Sequence, residues 1–149
     1  MPLGSTLQVQ LLKLLLAASG NPISGIASTA GSTVVWSALH TADPAGGVQN
    51  TSEVSLTGYT RISQDRSTSA TGWTVSTSVS SNYASASPNA AITFPILTST
   101  STGTATHWSI GTSSAGTGQI IASGTLSPNI SLGQNVTPQV TTASSATLQ

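Results

Sequence analysis

The segment Gly103–Gly111 constrains the fold of this chain more than any other stretch. It begins and ends with glycine, is rich in threonine, and places one of two histidines beside one of three tryptophans. Successive side chains of a β-strand point to opposite faces, which gives a period of two. The larger side chains of this segment fall on one face: Thr104, Thr106, Trp108 and Ile110. The pattern therefore predicts a strand that packs this face into the core and leaves His107 on the other side.

The chain beyond residue 32 repeats this pattern in shorter runs. Segments rich in β-branched and aromatic residues alternate with turn residues such as Gly, Pro, Asn and Ser. The predicted strands are 33–41, 53–66 (one strand or a bent pair, bulged at Gly58), 72–79, 90–95, 103–111, 118–126 and 129–142. Short strands without intervening helices predict a mainly β fold, an antiparallel β-sandwich or jelly-roll-like domain. We assign this domain to residues 33–149.

Residues 1–32 form a separate region with a short N-terminal helix and an arm. Ser5 and Gln8 have the spacing of a capping box, and Gly20 precedes Asn-Pro, which predicts a helix over 6–19 and an arm over 20–32. The helix has two apolar stripes, one with Leu7, Leu11, Leu14, Leu15 and Ala18, the other with Val9, Leu12 and Leu16. Two stripes fit a helix that packs between its own domain and a neighbouring subunit, or one sunk entirely in its own core.

Charge is nearly absent from the sequence. Charged residues make up 4% of the chain and the formal net charge is zero, against about 25% charged residues in ordinary globular domains. Nucleic-acid binding needs clusters of Lys and Arg, so we expect no nucleic-acid partner. The apolar run 11–16 is too short to span a bilayer, so we expect no membrane partner. Neutral surfaces rich in Ser and Thr tend to associate, and a homo-oligomer is expected.

The residues that usually carry chemistry are few and poorly spaced for it. His40 and His107 are the two histidines, and the chain has no cysteine. Neither histidine lies in a spacing typical of a zinc site, and the serines do not form a Gly-x-Ser-x-Gly elbow. The glycine-rich stretches lack the lysine and following helix that phosphate binding requires. We therefore expect no enzyme activity, no catalytic residue, no metal site and no cofactor.

Arg61, Asp65 and Arg66 form the densest group of charges in the sequence. A spacing of four residues puts Arg61 and Asp65 on one side of a strand. This group has two readings. It is either a surface ion pair worth less than about 1 kcal/mol, or a subunit contact in which rare charges fix the register between neutral surfaces.

Five segments in a fixed order carry a resemblance to a known family. They read VVWSALHTADP at 34–44, EVSLTGYTR at 53–61, NAAITFP at 89–95, GTATHWSI at 103–110 and IASGTL at 121–126. In this order the segments resemble a family of small virion proteins of tailed bacteriophages, in which a leading helix with a Leu-Leu pair is also usual. The chain departs from the family at 112–118, which lacks an aspartate, so no contact through that carboxylate is expected.

The resemblance implies a structural protein of the virion. The first expectation is a capsid decoration (cement) protein on the capsid surface, a homo-oligomer with a trimer favoured, which binds the major capsid protein and stabilises the shell. The alternative is a tail or tail-fibre component that binds the host, for which Trp36, Trp73 and Tyr83 are candidate exposed aromatic residues. The residues predicted to contact partners are Val9, Leu12, Leu16, Ile23, Ile26, Arg61, Asp65 and Arg66.

Overall fold

The structure, a computed structural model, describes residues 5–17, 34–44, 46–76 and 84–148. It begins with helix α1 (Ser5–Leu12), which continues into a π-helical turn, Lys13–Ala17. Strands follow in the order β1 (Val34–His40), β2 (Ile62–Asp65), β3 (Trp73–Val75), β4 (Ala84–Pro88), β5 (Ile92–Thr93), β6 (Gly103–Gly111), β7 (Ile120–Leu132), β8 (Gln139–Val140) and β9 (Ala146–Leu148). The mainly β fold with one short N-terminal helix is confirmed.

Seven of these strands form one antiparallel sheet that curls over itself. Its strand order is β2-β1-β6-β7-β9-β4-β3, and β5 and β8 form a separate two-stranded ribbon. Trp73 in β3 and Trp108 in β6 lie four strands apart, which corresponds to about 19 Å in a flat sheet. Their ring centroids are 6.2 Å apart and the rings stack. The sheet therefore bends until two of its parts face each other, as in a sandwich.

Helix α1 packs against this curled sheet and contributes to its core. Val9, Leu12 and Leu16 are buried among the core residues of the strands. The side chain of Gln8 is also buried, and its Oε1 accepts a hydrogen bond of 3.0 Å from the backbone N–H of Ala84 in β4. In the other predicted stripe of the helix, Leu11 and Leu14 are half-buried and Leu15 packs against the edge of the core.

Strand β6 has the predicted bounds, but its inward face changes partway along. Trp108 is buried as predicted, whereas Thr104 is exposed and Ala105 takes the buried place. Thr106 is half-buried and donates a hydrogen bond to the Thr41 carbonyl. The prediction that both threonines face the core is wrong, because the register with β7 shifts between Ala105 and His107.

The segment 53–66, predicted as a strand or a bent pair bulged at Gly58, is a regular strand only near its end and is otherwise irregular, with a turn at Gly58. Glu53 forms an isolated bridge with His40, and the regular strand β2 begins only at Ile62. Between them, Gly58 has a φ of 92°, a left-handed conformation that favours glycine. A Cβ at Gly58 would lie 2.7 Å from the Ile96 carbonyl oxygen, so the chain also passes too close to its neighbour for a side chain.

The end of the chain also differs from the predicted strand pattern. The predicted strands 118–126 and 129–142 share a single long strand, β7, and the second contributes β8 near its end. Strand β4 was not predicted, and its buried residues are the small side chains Ala84 and Ala86 together with Pro88.

Candidate functional site

A cluster of buried polar side chains lies on one side of β1 and β6. We call it the polar cluster, and it consists of His40, Gln49, Glu53, Tyr59, Arg61 and Ser109. Burial of polar groups is unfavourable unless each group has a hydrogen-bond partner. The cluster is therefore the part of the described structure where chemistry or a specific positioning role should be sought first.

The strongest interaction in the polar cluster joins Arg61 and Glu53. Arg61 Nε donates to Glu53 Oε1 and Arg61 Nη2 donates to Glu53 Oε2, both at 2.7 Å. The Arg61 side chain is 2% exposed and that of Glu53 is 16% exposed. This two-bond geometry matches the planar guanidinium to the carboxylate, and loss of one partner would leave a buried charge.

Arg61 also holds the loop between β6 and β7, residues 112–118. Arg61 Nη1 donates to the Ser113 carbonyl at 2.9 Å, and Nη2 donates to the Gly116 carbonyl at 2.7 Å. Most residues of this loop are exposed. An exposed loop that contributes little to the core is thus fixed by the buried ion pair of the polar cluster.

Gln49 fixes the same loop from the other side. Its Nε2 donates to the Trp36 carbonyl at 2.9 Å, and its Oε1 accepts from the backbone N–H of Ser113 at 3.2 Å. A Cβ added to Gly111 or Gly118 would meet the Gln49 side chain, so glycine at both ends of the loop makes room for it. The loop is positioned by side chains from two distant segments.

His40 and Ser109 form a hydrogen-bonded pair at the base of the polar cluster. His40 Nδ1 lies 2.8 Å from the Thr51 carbonyl oxygen, and His40 Nε2 lies 2.7 Å from Ser109 Oγ. A carbonyl oxygen only accepts, so Nδ1 carries the proton and Nε2 accepts a hydrogen bond from the Ser109 hydroxyl. Burial lowers the pKa of His40 below its ordinary value of 6.5, Arg61 and His107 lower it further, and the Thr51 carbonyl and Glu53 oppose the shift.

A serine that donates to a neutral histidine resembles the nucleophile and base of a hydrolase. Both residues are 0% exposed, however, and the second ring nitrogen of His40 binds a backbone carbonyl rather than a carboxylate. A substrate cannot reach Ser109 Oγ in this arrangement. The geometry suits a structural link between β1, β6 and the turn that contains Thr51.

Tyr59 connects the polar cluster to the apolar core. Its hydroxyl accepts from the backbone N–H of Leu39 at 2.8 Å and donates to Glu53 Oε1 at 3.2 Å. Burial raises the pKa of Tyr59, which keeps the hydroxyl protonated and able to donate. The ring stacks on Phe94 with centroids 5.8 Å apart.

The structure places the predicted partner-binding residues of the helix inside the chain's own core. Leu12 and Leu16 are 0% exposed and Val9 is 8% exposed. These three side chains pack against the sheet of the same chain and are not exposed on its surface. Ile23 and Ile26 lie outside the described residues.

The predicted pair of Arg61 with Asp65 is wrong, because Arg61 bonds to Glu53 instead. Asp65 lies exposed on β2 and accepts a hydrogen bond of 2.6 Å from Thr71. Arg66 donates from Nε to the Leu15 carbonyl and from Nη2 to the Leu14 carbonyl, at 2.7 and 2.9 Å. Arg66 therefore binds the carbonyl end of the helical segment, where a cation is favourable.

The aromatic residues proposed for host binding do not form an exposed groove in the described structure. Trp73 is 1% exposed, Trp36 is half-buried, and Tyr83 lies outside the described residues. An open groove of about 260 Å³ lies beside β2, and it is lined by Ser63, Gln64, Asp65, Thr71, Ala90 and Ala91. Its lining is small and polar, with a single carboxylate.

Two further features of the described residues concern metal binding and membrane insertion. These residues contain no group of three or more His, Cys, Asp or Glu side chains arranged to hold a metal ion. None of the helical segments described is long and apolar enough to cross a membrane.

Comparison with protein families gives one match along most of the chain. The model of the family described as Podophage GP4 fiber I protein gp80 matches residues 17–147. The matched range includes the whole polar cluster and every strand up to the beginning of β9. Comparison with individual curated proteins gives no significant match.

Proposed function

Since the chain belongs to the podophage GP4 fiber I protein family and is a structural protein of the bacteriophage virion, we propose that it is a building unit of a virion fibre. The observation that carries this proposal is the family match over 17–147, since the family description names a fibre. The fold supports the proposal through its rigid antiparallel sheet and its fixed exposed loop at 112–118.

The use of charge in the fold supports assembly from identical subunits. Arg61 and Glu53 pair with each other, and Arg66 binds carbonyls of the helical segment. With a formal net charge of zero, the chain has little electrostatic repulsion to oppose a second copy. We propose a homo-oligomer, with a trimer as the first stoichiometry to test. Native mass spectrometry of the full chain should give one defined oligomer whose mass is insensitive to ionic strength.

The stripe of the helical segment that includes Leu11 and Leu14 is the part of this region available for such a contact. Leu11 and Leu14 are half-buried, whereas Leu12 is fully buried in the core. We expect Leu14→Gln to weaken the oligomer while the thermal unfolding of the subunit changes little. Leu12→Gln, the matched control in the core, should unfold the subunit itself. An oligomer that survives Leu11→Gln and Leu14→Gln together would exclude this stripe as a contact.

A capsid decoration protein that binds the major capsid protein is the second candidate. The five ordered sequence segments indicate a virion protein and fit either candidate, and a neutral, hydroxyl-rich surface is compatible with either location. Both candidates are virion structural proteins and differ in where the subunit lies. The word "fiber" in the family description makes the fibre the first choice.

Immunogold electron microscopy of intact virions distinguishes the two candidates. An antibody raised against the full chain should place gold on filaments that project from the particle. Gold spread evenly over the capsid shell would instead support the decoration protein and contradict the fibre. Antibody that has been absorbed with the purified chain provides the control for specific labelling.

We propose a structural role without a catalytic step. The Ser109–His40 pair is closed to solvent, and its hydrogen bonds link β1 and β6 to the turn at Thr51. A hydrolase would require an exposed nucleophile and a base that can exchange protons with the substrate. Hydrolytic activity of the purified chain that disappears in Ser109→Ala, with the fold retained, would contradict this proposal.

A further inference from the structure

We propose that His40 is an acid-sensitive latch that holds two surface segments, residues 46–53 and 112–118, against the sheet. The segment 46–53 covers the imidazole, because the Thr51 carbonyl accepts from Nδ1 and Glu53 bridges to His40 through the backbone. The same segment supplies Gln49 and Glu53, the partners of Ser113 and Arg61. Release of the first segment therefore removes Gln49 from the second segment and leaves Arg61, which also binds the second segment, without its carboxylate partner.

Protonation breaks the latch because the buried hydrogen-bond arrangement around His40 suits only the neutral ring. In the neutral ring Nδ1 donates to Thr51 and Nε2 accepts from the Ser109 hydroxyl. A protonated imidazole carries a hydrogen on both nitrogens, so Ser109 can no longer donate to Nε2 and needs another acceptor in a buried place. The added charge would also lie in a site that is 0% exposed. Movement of the segment 46–53 away from the ring lets water reach the imidazole and the Ser109 hydroxyl.

The charges around the imidazole come from three directions. Glu53, in the covering segment, favours the protonated ring, but its carboxylate already accepts two hydrogen bonds from Arg61. Arg61, which precedes β2, and His107, on β6 opposite His40, disfavour it. Tyr59 stays neutral beside Glu53, since burial raises its pKa. With burial as the largest effect, the closed form holds the neutral ring.

The direction of the pH dependence follows from the lowered pKa. When the cover is open, the ring titrates near its ordinary value of 6.5, and when it is closed the ring titrates at a lower pH. Between these values the open form binds more protons, so acidification favours opening. One linked proton raises the opening constant up to about tenfold for each unit of pH. Above the ordinary value the opening constant does not change with pH.

Hydrogen–deuterium exchange of the full chain between pH 7.5 and pH 5 tests the latch. After correction for the intrinsic pH dependence of exchange, peptides that cover 46–53 and 112–118 should lose protection by up to about tenfold per pH unit below 6.5. Peptides from β4 (Ala84–Pro88) should keep their protection. Constant protection in the two segments, or an equal loss in β4, would overturn the proposal.

The second histidine of the chain provides a matched control. His40→Gln should abolish the pH dependence of exchange in both segments, and His107→Gln, a half-buried residue on β6, should retain it. If His107→Gln loses the pH dependence and His40→Gln retains it, the assignment of the latch to His40 is overturned. If His40→Gln does not fold, NMR titration of the His40 ring in the unaltered chain decides the question. A ring pKa at or above 6.5 overturns the latch, and a lower one supports it.

Discussion

The two faces of strand β6 are both buried, but they are held in different ways. Trp108 points to one face, where it stacks on Trp73 in the apolar core, and Ser109 points to the other, where it binds His40 in the polar cluster. Both residues are 0% exposed. One strand thus joins a half of the molecule held by apolar burial to a half held by matched hydrogen bonds.

The comparison shows why the two halves should respond differently to substitution. Apolar burial has no direction and scales with the area removed from water. The polar cluster depends on every donor having its acceptor, so removal of one member leaves the other buried and unpaired. In the apolar core, the loss of stability should therefore scale with the apolar area that a substitution removes. In the polar cluster, substitution of one residue should also leave its hydrogen-bond partners unpaired and so destabilise them.

Trp108→Ala should cause the largest loss of stability, because it disrupts the packing of the apolar half. A large-to-small change in a packed core costs about 3–5 kcal/mol, from lost burial and the cavity left behind. Urea unfolding followed by circular dichroism measures the change. Trp36→Ala in β1, where the ring is only half-buried, is the control and should lose clearly less stability. Equal losses at the two positions would contradict the placement of Trp108 at the centre of the core.

Gly58→Ala tests the turn that brings Glu53 and Arg61 together. A left-handed conformation costs a residue with a Cβ about 1–2 kcal/mol. At Gly58 a contact with the Ile96 carbonyl adds to this cost. Gly46→Ala is the matched control, because Gly46 has a φ of 76° but an added Cβ would meet nothing within 4 Å. Unfolding experiments should show a larger loss for Gly58→Ala, and equal losses would exclude the close contact.

Gln8→Met tests how much a single buried hydrogen bond contributes to the apolar half. Methionine conserves most of the volume but leaves the Ala84 N–H of β4 without the Gln8 acceptor. Loss of a buried partner costs about 1–3 kcal/mol. Thermal unfolding should detect this loss, together with faster amide exchange at Ala84. Unchanged exchange at Ala84 would show that the hydrogen bond contributes nothing.

Asp65→Asn should have the smallest effect. Asp65 is exposed and accepts from Thr71, and asparagine retains an oxygen for that hydrogen bond. Substitutions of this kind usually change stability by no more than about 0.5 kcal/mol. The same unfolding assay should find the variant close to the unaltered chain. A loss comparable to that of Arg61 substitutions would restore Asp65 to the charged pair that its spacing suggested.

Local patterns in the sequence predicted much of the fold. The sequence pattern predicted the bounds of β6 and placed β1 correctly, because both segments are rich in β-branched and aromatic residues. Strand β4 was missed because its buried alanines carry too little apolar area to stand out. Ala105 faces inward because of a register shift with β7. Such a shift is a property of two paired strands, so the sequence of one strand does not predict it.

The polar cluster was harder to predict because its partners meet through a change in chain direction. Strand spacing paired Arg61 with Asp65, while the turn at Gly58 brings Arg61 to Glu53, eight residues earlier. The segment EVSLTGYTR contains both partners and the glycine, so the signal was present as a possible turn. Gln49 offered no comparable signal, since its partners Trp36 and Ser113 are distant in sequence.

A double-mutant cycle between Glu53 and Arg61 tests most directly that the polar half is held by mutual pairing. The single variants are Glu53→Gln, which keeps an oxygen for Tyr59, and Arg61→Met, which leaves the carboxylate partly buried. The account predicts a loss of about 3–5 kcal/mol for Arg61→Met and a coupling energy of at least about 2 kcal/mol between the two sites. Additive losses, with a coupling energy below about 0.5 kcal/mol, would contradict it.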